Sequence, residues 1–147
     1  MIRSFRESDS KEIETLYEKS NSAVSLNVPS GFFKKDKKKF TSSTIRQCKN
    51  LVFEDKNRIV GIISYSCDYI EGLFVAPEFW NTGIGSELLN RALGERKELH
   101  LQVYSDNARA VEFYRKRGFE VSGKGVCQMT GLPYFEMTRC EKGTVKP

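Results

Sequence analysis

The segment Leu73-Phe74-Val75-Ala76-Pro77-Glu78-Phe79-Trp80-Asn81-Thr82-Gly83-Ile84-Gly85-Ser86-Glu87-Leu88-Leu89 joins residue types that can hold an anion without a metal. Leu73, Phe74, Val75 and Ala76 read as a strand that Pro77 stops, and apolar spacing resumes at Ile84, Leu88 and Leu89 as a helix. Between them, Gly83 and Gly85 leave backbone N–H groups uncovered where the helix N-terminus adds its positive partial charge. A phosphate or diphosphate suits that chemistry. Two common nucleotide loops are excluded by single residues. A phosphate-cradling NTPase loop needs lysine after its last glycine, but Ser86 follows Gly85, and a dinucleotide fingerprint needs a third glycine where Leu88 stands.

The elements around this turn must position it. Residues 2–6 read as a short strand, and Ser8-Asp9 as the cap of a helix with Ile13, Leu16 and Tyr17 on one face. Residues 31–48 form a second helical region in which Thr41-Ser42-Ser43-Thr44 is a poor helix former. Residues 50–54, 59–65 and 69–76 read as an antiparallel meander with turns at Asp55-Lys56-Asn57 and Cys67-Asp68. A helix from residue 83 to 94 then crosses over to a parallel strand at 99–103. Asp106-Asn107 opens the next helix, which carries Ala108, Val111, Phe113 and Tyr114 and closes at Gly118. Residues 119–121 and 126–129 read as separate strands, Thr130-Gly131-Leu132-Pro133 as a turn, and 134–138 as the last strand. The fold class is mixed α/β (α+β), with one domain over 1–140 and a flexible tail over 141–147.

With 147 residues, the chain can bury a core without a metal or disulfide. No apolar run reaches bilayer length and no cleavable leader follows Met1, so a soluble cytoplasmic protein without membrane contact is expected. Cys48, Cys67, Cys127 and Cys140 match neither a zinc spacing nor a redox pair and read as free, mostly buried thiols, so no metal is expected. His100, the only histidine, sits in an alternating strand without a nucleophile elbow, which argues against a serine triad. The net charge of +5 suits an anionic ligand. Lys34-Lys35-Asp36-Lys37-Lys38-Lys39, flanked by Phe32, Phe33 and Phe40, reads as a solvated helix face rather than a nucleic-acid patch.

The second patterned segment is Asn107-Ala108-Arg109-Ala110-Val111-Glu112-Phe113-Tyr114-Arg115-Lys116-Arg117-Gly118-Phe119. In this order, the two segments resemble the GNAT superfamily of N-acetyltransferases, of the small bacterial type whose acceptors are often undefined. The similarity covers residues 2 to about 139. The first segment is similar to Arg/Gln-x-x-Gly-x-Gly/Ala behind an apolar strand, the second to Asn-x-x-Ala-x-x-Phe-Tyr-x-x-x-Gly-Phe. One position departs: Trp80 stands at the Arg/Gln position, where it packs against the helix or lines the cleft, and Asn81 follows where glycine is common.

The resemblance implies a mostly antiparallel mixed sheet of six to seven strands flanked by about four helices, splayed between residues 69–76 and 99–104. It implies acetyl-CoA as co-substrate and transfer of acetyl to a primary amine of a small molecule or peptide by direct attack in a ternary complex. A non-catalytic acyl-CoA-binding or partner-recruiting module on the same scaffold is the alternative, and a monomer or homodimer is expected. Backbone groups of Leu73, Phe74 and Val75 would pair with the pantetheine arm, and N–H groups of Asn81, Thr82, Gly83, Ile84, Gly85 and Ser86 would take the diphosphate. Asn107 would bind the arm from the other side. Tyr114 matches the general acid, although its spacing alone also suits a core residue. The thioester carbonyl would be polarised by the N–H of Val75 or Phe74. For the base, strand parity groups Glu71 with Tyr69, Leu73 and Val75; Glu71 also reads as an ordinary edge charge, with Tyr69, Asp68 or water as other bases. Residues 22–33 and 130–134 would wall the acceptor cleft, with Phe32, Phe33, Tyr69 and Tyr134 as aromatic surface. Cys67 has nothing in sequence to activate it as a covalent nucleophile.

Overall fold

The meander forms as its turn residues require. β1 (Ile2–Ser4) pairs with β2 (Lys49–Asp55), and β2 joins β3 (Arg58–Ser66) through Lys56 and Asn57, at φ of 50° and 63°. Two left-handed residues give this turn the twist that paired strands need. β4 (Tyr69–Val75) returns through Cys67, at φ 55°. Apolar stripes then set α3 (Ile84–Leu93), β5 (Glu98–Tyr104) and α4 (Ala108–Lys116), and the chain ends with β6 (Glu120–Val126) and β7 (Pro133–Cys140). This computed structural model describes residues 1–94 and 96–140; Glu95 and the tail expected over 141–147 lie outside them. Among the described residues, seven strands form one sheet in the order β1-β2-β3-β4-β5-β7-β6, with β4 and β5 its parallel neighbours.

α1 (Ser10–Ser22) covers one face of the meander, and α2 (Phe32–Lys39) packs against α1 on the same side. Phe74 meets Tyr17 and Phe40 there, at ring centroid distances of 4.9 and 5.4 Å. α3 covers the opposite face, where Leu88 and Ile84 lie against Gly61. Covered on both sides, β3 is buried from Ile59 to Tyr65, the continuous apolar run that a central strand needs. The expected helical region over 31–48 is continuous, passing from α2 through a π-helical turn (Phe40–Thr44) and a 3₁₀ turn (Ile45–Gln47). The poor helix formers sit in the widened turn, where the Thr41 hydroxyl is 2.7 Å from the Glu14 carboxylate.

Three expectations are corrected. Asp9 does not cap α1 with its side chain; its carboxylate accepts the Arg6 N–H at 2.8 Å and two Arg3 N–H groups at 2.9 and 3.0 Å. Residues 119–121 and 126–129 are not separate strands: β6 runs through Gly123 and Gly125, because the Glu136 and Tyr134 side chains lie across those glycines, and residues 127–132 turn. The four free cysteines are not buried; Cys67 and Cys140 are exposed and Cys48 and Cys127 half-buried, since they sit at turns and strand ends. No helix among the described residues is long and apolar enough to cross a membrane.

Arg3 ties β1 to the start of α1 through Asp9 and to β2 through Glu54, the latter at 2.9 Å. The Arg3 hydrogen bonds hold the buried Asp9 carboxyl below its usual range. A depressed folded-state pKa stabilises above the unfolded value of about 4 and stops doing so as pH falls through the folded value. Asp9→Asn is therefore expected to cost about 2 kcal/mol at pH 7, the worth of a hydrogen bond to a charged group. In denaturant titrations the difference from wild type should shrink steadily below about pH 4.

Two irregularities set the shape of the β4 edge. β4 and β5 pair only at Tyr69 with His100 and Ile70 with Leu101, and then diverge. The β3–β4 register also shifts: Tyr65 faces Ile70 and Ser64 faces Gly72, leaving Glu71 as the extra residue of a β-bulge.

Candidate active site

The divergence of β4 from β5 leaves one side of β4 without a partner strand. The Ala76 N–H donates to Val60 O at 2.9 Å, so by antiparallel alternation Phe74 and Ile62 are the next directly bonded pair. Leu73 and Val75 therefore turn their N–H and C=O groups toward the gap, while those of Phe74 are spent on β3. The Trp80 indole Nε1–H takes the Val75 carbonyl at 2.8 Å. The peptide groups left open are the N–H and C=O of Leu73 and the N–H of Val75.

A cavity of about 510 Å³ lies at this edge, closed by the end of α1, the start of α3 and one face of α4. Leu73, Phe74 and Val75 line it from β4; Asn81, Gly83, Ile84, Gly85 and Ser86 from the turn into α3; and Asn107 and Tyr114 from α4. Thr82 does not line it; its exposed hydroxyl turns back to Phe79 O. Gly83 N-caps α3 at φ 93°, and a Cβ there would touch nothing, so the backbone conformation rather than space demands glycine. Gly85 answers to space: a Cβ would sit 3.1 Å from the Phe113 ring, so its absence lets α4 approach α3.

Asn107 caps α4, its Oδ1 accepting the Ala110 N–H at 3.2 Å, which leaves its Nδ2 as the group available to the cavity. Tyr114 is 8% exposed, its ring set edge-on to Phe113 and Phe119 at 5.1 and 5.3 Å. Every fully buried side-chain nitrogen or oxygen among the described residues has a hydrogen-bond partner. The Tyr114 hydroxyl has none among the described residues, so it meets the cavity, which Tyr114 lines, rather than the core. Burial pushes its pKa up, only partly offset by the Arg117 guanidinium, and the phenol is neutral at ordinary pH.

Sequence parity fails for Glu71. Beyond the bulge the alternation reverses, so Tyr69 and Glu71 share the α2 face with Gly72 and Phe74, opposite Leu73 and Val75. Glu71 is exposed and does not line the cavity. Burial and the nearby Glu71 carboxylate push Tyr69 up to about 12.

Across the gap, on the face away from α3, a polar group gathers that sequence reasoning did not assemble. The Tyr17 hydroxyl donates to Asp36, the single acid of the lysine run, while Lys34, Lys35, Lys38 and Lys39 are exposed. The Tyr104 hydroxyl points at the Cys127 sulfur, 3.7 Å away. Burial opposes ionisation of Cys127, but hydrogen bonds from Thr130, Tyr104 and the Met129 N–H outweigh it and hold the thiol below its ordinary range. Phe33 stacks edge-on against Tyr17 at 6.2 Å and Phe32 against Phe33 at 5.2 Å. His100 bridges Glu98, at 2.6 Å, and Thr138, at 3.1 Å. No group of three or more potential metal ligands occurs among the described residues.

Arg109 and Arg117, also missed, both reach the cavity from α4. Arg109 lies over the Trp80 ring, 3.8 Å from its centre. Arg117 lies 3.7 Å over Phe113 and donates to the Ser86 hydroxyl and to Phe113 O. Both sit at variable positions of the Asn107–Phe119 motif, where no residue type signals a contact.

The pattern of the acetyltransferase (GNAT) domain matches residues 21–140. The chain belongs to the GNAT acetyltransferase family. This GNAT protein is 34% identical, over 80 residues, to the peptidyl-lysine N-acetyltransferase YjaB of Escherichia coli strain K12. That match takes in 54% of each chain, so the alignment spans about half the length of this curated relative. In fold, it superposes on the solution structure of apo YjaB from Escherichia coli with a TM-score of 0.82 at 24% identity, covering 96% of this chain and 97% of that one. The PaiA N-acetyltransferase of Thermoplasma acidophilum, crystallised with coenzyme A, gives a TM-score of 0.77 at 17% identity, over 95% and 98% of the two chains.

Proposed function

We propose that this GNAT protein transfers an acetyl group from acetyl-CoA to a primary amine of a small molecule or peptide, by direct attack in a ternary complex. The observation that carries it is the unpartnered Tyr114 hydroxyl, facing the same cavity as the open peptide groups of Leu73 and Val75. The residues present fit the co-substrate. An unpaired strand edge suits the two amides of a pantetheine arm, the turn from Asn81 to Ser86 suits its diphosphate, and Asn107 Nδ2 is a free donor between them.

Bound acetyl-CoA supplies an acyl carbon that sulfur has already activated. The Val75 N–H, rather than that of Phe74, is then the donor free to hydrogen-bond the carbonyl oxygen as negative charge develops there. As carbon–nitrogen bonding replaces the carbon–sulfur bond, Tyr114 gives its proton to the departing sulfur and regains one from solvent. The amine proton leaves to Glu71, directly or through water, from the face on which the Tyr17–Asp36 and Tyr104–Cys127 contacts lie. The acceptor enters from that face. The name of the Escherichia coli relative supports a peptide lysine as the first acceptor to test.

The test is release of free CoA from acetyl-CoA across a panel of amines and lysine peptides, with the acetylated product identified by mass spectrometry. No product with any acceptor, together with no thermal shift at millimolar acetyl-CoA, would sink the proposal. For Glu71→Gln the expectation is a kcat lowered by about 100- to 10,000-fold, the range for loss of a general base, with acetyl-CoA affinity unchanged. An unchanged kcat would leave water or another residue as the base.

A further inference from the structure

The cavity holds two guanidinium groups in different circumstances. Arg117 has all three of its nitrogens engaged: Nε and Nη2 donate to the Ser86 hydroxyl and Nη1 to Phe113 O. Arg109 makes no hydrogen bond and no ion pair with any described residue, although Glu112, one turn further along α4, lines the same cavity. Burial disfavours its charge, and its position over the Trp80 face supplies only a cation–π contact. Half-buried cations are costly to keep without an anion. The platform beneath Arg109 is itself fixed, because the Trp80 indole is tied to Val75 O at 2.8 Å. Trp80 also leads directly into the Asn81–Ser86 turn, whose N–H groups open onto the same cavity as the guanidinium.

We propose that Arg109, laid on Trp80, is the side chain that grips the diphosphate of the acyl donor, working opposite the backbone N–H groups at the start of α3. Trp80 stands at the Arg/Gln position of the pattern that the first segment resembles, and there it supports a guanidinium delivered from another helix. The planar fork then presents its N–H groups to two phosphate oxygens at once, while the indole keeps the group from collapsing onto a protein carbonyl. The assignment rests on the acetyl-CoA-dependent function proposed for this cavity.

The test compares CoA with pantetheine, which has the same arm and thiol but no phosphate, in two-dimensional NMR titrations that read affinities into the millimolar range. Arg109→Met is expected to weaken CoA about 10- to 100-fold, the worth of a charge-assisted contact, and to leave pantetheine unchanged. Trp80→Leu should give part of the same loss in the wild type and no further loss in Arg109→Met. Trp80→Arg placed in Arg109→Met should recover CoA binding. Arg109→Lys, which keeps the charge without the fork and removes little packing, guards against a variant that fails to fold and should fall between. An equal loss for CoA and pantetheine, or CoA affinity within twofold of wild type in Arg109→Met, would overturn the role of Arg109 while leaving the donor site standing. Absence of CoA binding by the wild-type protein would overturn the acetyl-CoA function itself, and this assignment with it.

Discussion

Tyr114→Phe is expected to lower kcat by about 100- to 10,000-fold, the range for loss of a positioned general acid, while the affinity for acetyl-CoA stays within about twofold. The variant deletes one oxygen that no other group among the described residues uses, so packing against Phe113 and Phe119 survives and stability should hardly change. Because burial raises the phenol above the usual tyrosine value of about 10, wild-type kcat should show no alkaline limb from Tyr114 below that pH. Rapid-quench measurement of the acetyl-transfer step separates chemistry from product release. A Phe variant with unchanged turnover would remove Tyr114 as the acid, and the proton would then come from water in the cavity.

Phe119→Ala should produce the largest loss of stability of any change near the site, about 3–5 kcal/mol, because the ring is 1% exposed and leaves a cavity between Tyr114 of α4 and Arg139 of β7. The ring stands 5.3 Å from Tyr114 on one side and under the Arg139 guanidinium on the other. Denaturant midpoints measure the loss. Phe119→Leu is the informative companion, since it keeps most of the volume and lets the protein fold. It should lower kcat several-fold with little change in acetyl-CoA affinity, as the Tyr114 ring gains freedom to leave its productive orientation. Equal kcat in Phe119→Leu and wild type would show that Tyr114 is held by Phe113 and its helix alone.

What the chain revealed before folding was what depends on neighbours in sequence. Lys56-Asn57 and Cys67-Asp68 marked real turns, the stripe Ile84, Leu88, Leu89 marked α3, and Asn107 marked the start of α4, because caps, turns and stripes are set within a few residues. The turn from Asn81 to Ser86 and the Tyr114 helix were legible for the same reason, and they do meet at one cavity. What failed was geometry decided between strands. Counting in twos gives Glu71 the wrong face, because the β3–β4 pairing inserts one extra residue there, and no local feature of Tyr69-Ile70-Glu71-Gly72 announces it. Gly123 and Gly125 fall between the strands expected at 119–121 and 126–129, and they are the places where the Glu136 and Tyr134 side chains cross β6. Asp36 was hidden in a lysine run whose charge suggested only solvent, and its partner Tyr17 lies 19 positions away. Trp80 and Arg109 belong to different motifs, so their contact becomes visible only when α4 lies beside the turn.

The two-rung junction of β4 and β5 also bears on how the protein comes apart. The sheet consists of two ladders, β1-β2-β3-β4 and β5-β7-β6, stitched at Tyr69–His100 and Ile70–Leu101 and linked in sequence by α3, which packs on the first. An arm lying along Leu73 and Val75 would act as a removable extra strand that lengthens this seam. Without it, the cheapest partial opening is a parting along the seam, with each ladder kept whole. Hydrogen–deuterium exchange should therefore find the gap-facing amides of Leu73 and Val75 nearly unprotected and those of β3 the slowest. Ligand should slow exchange not only at the cavity but across β5 and β7, joining two units of unfolding into one.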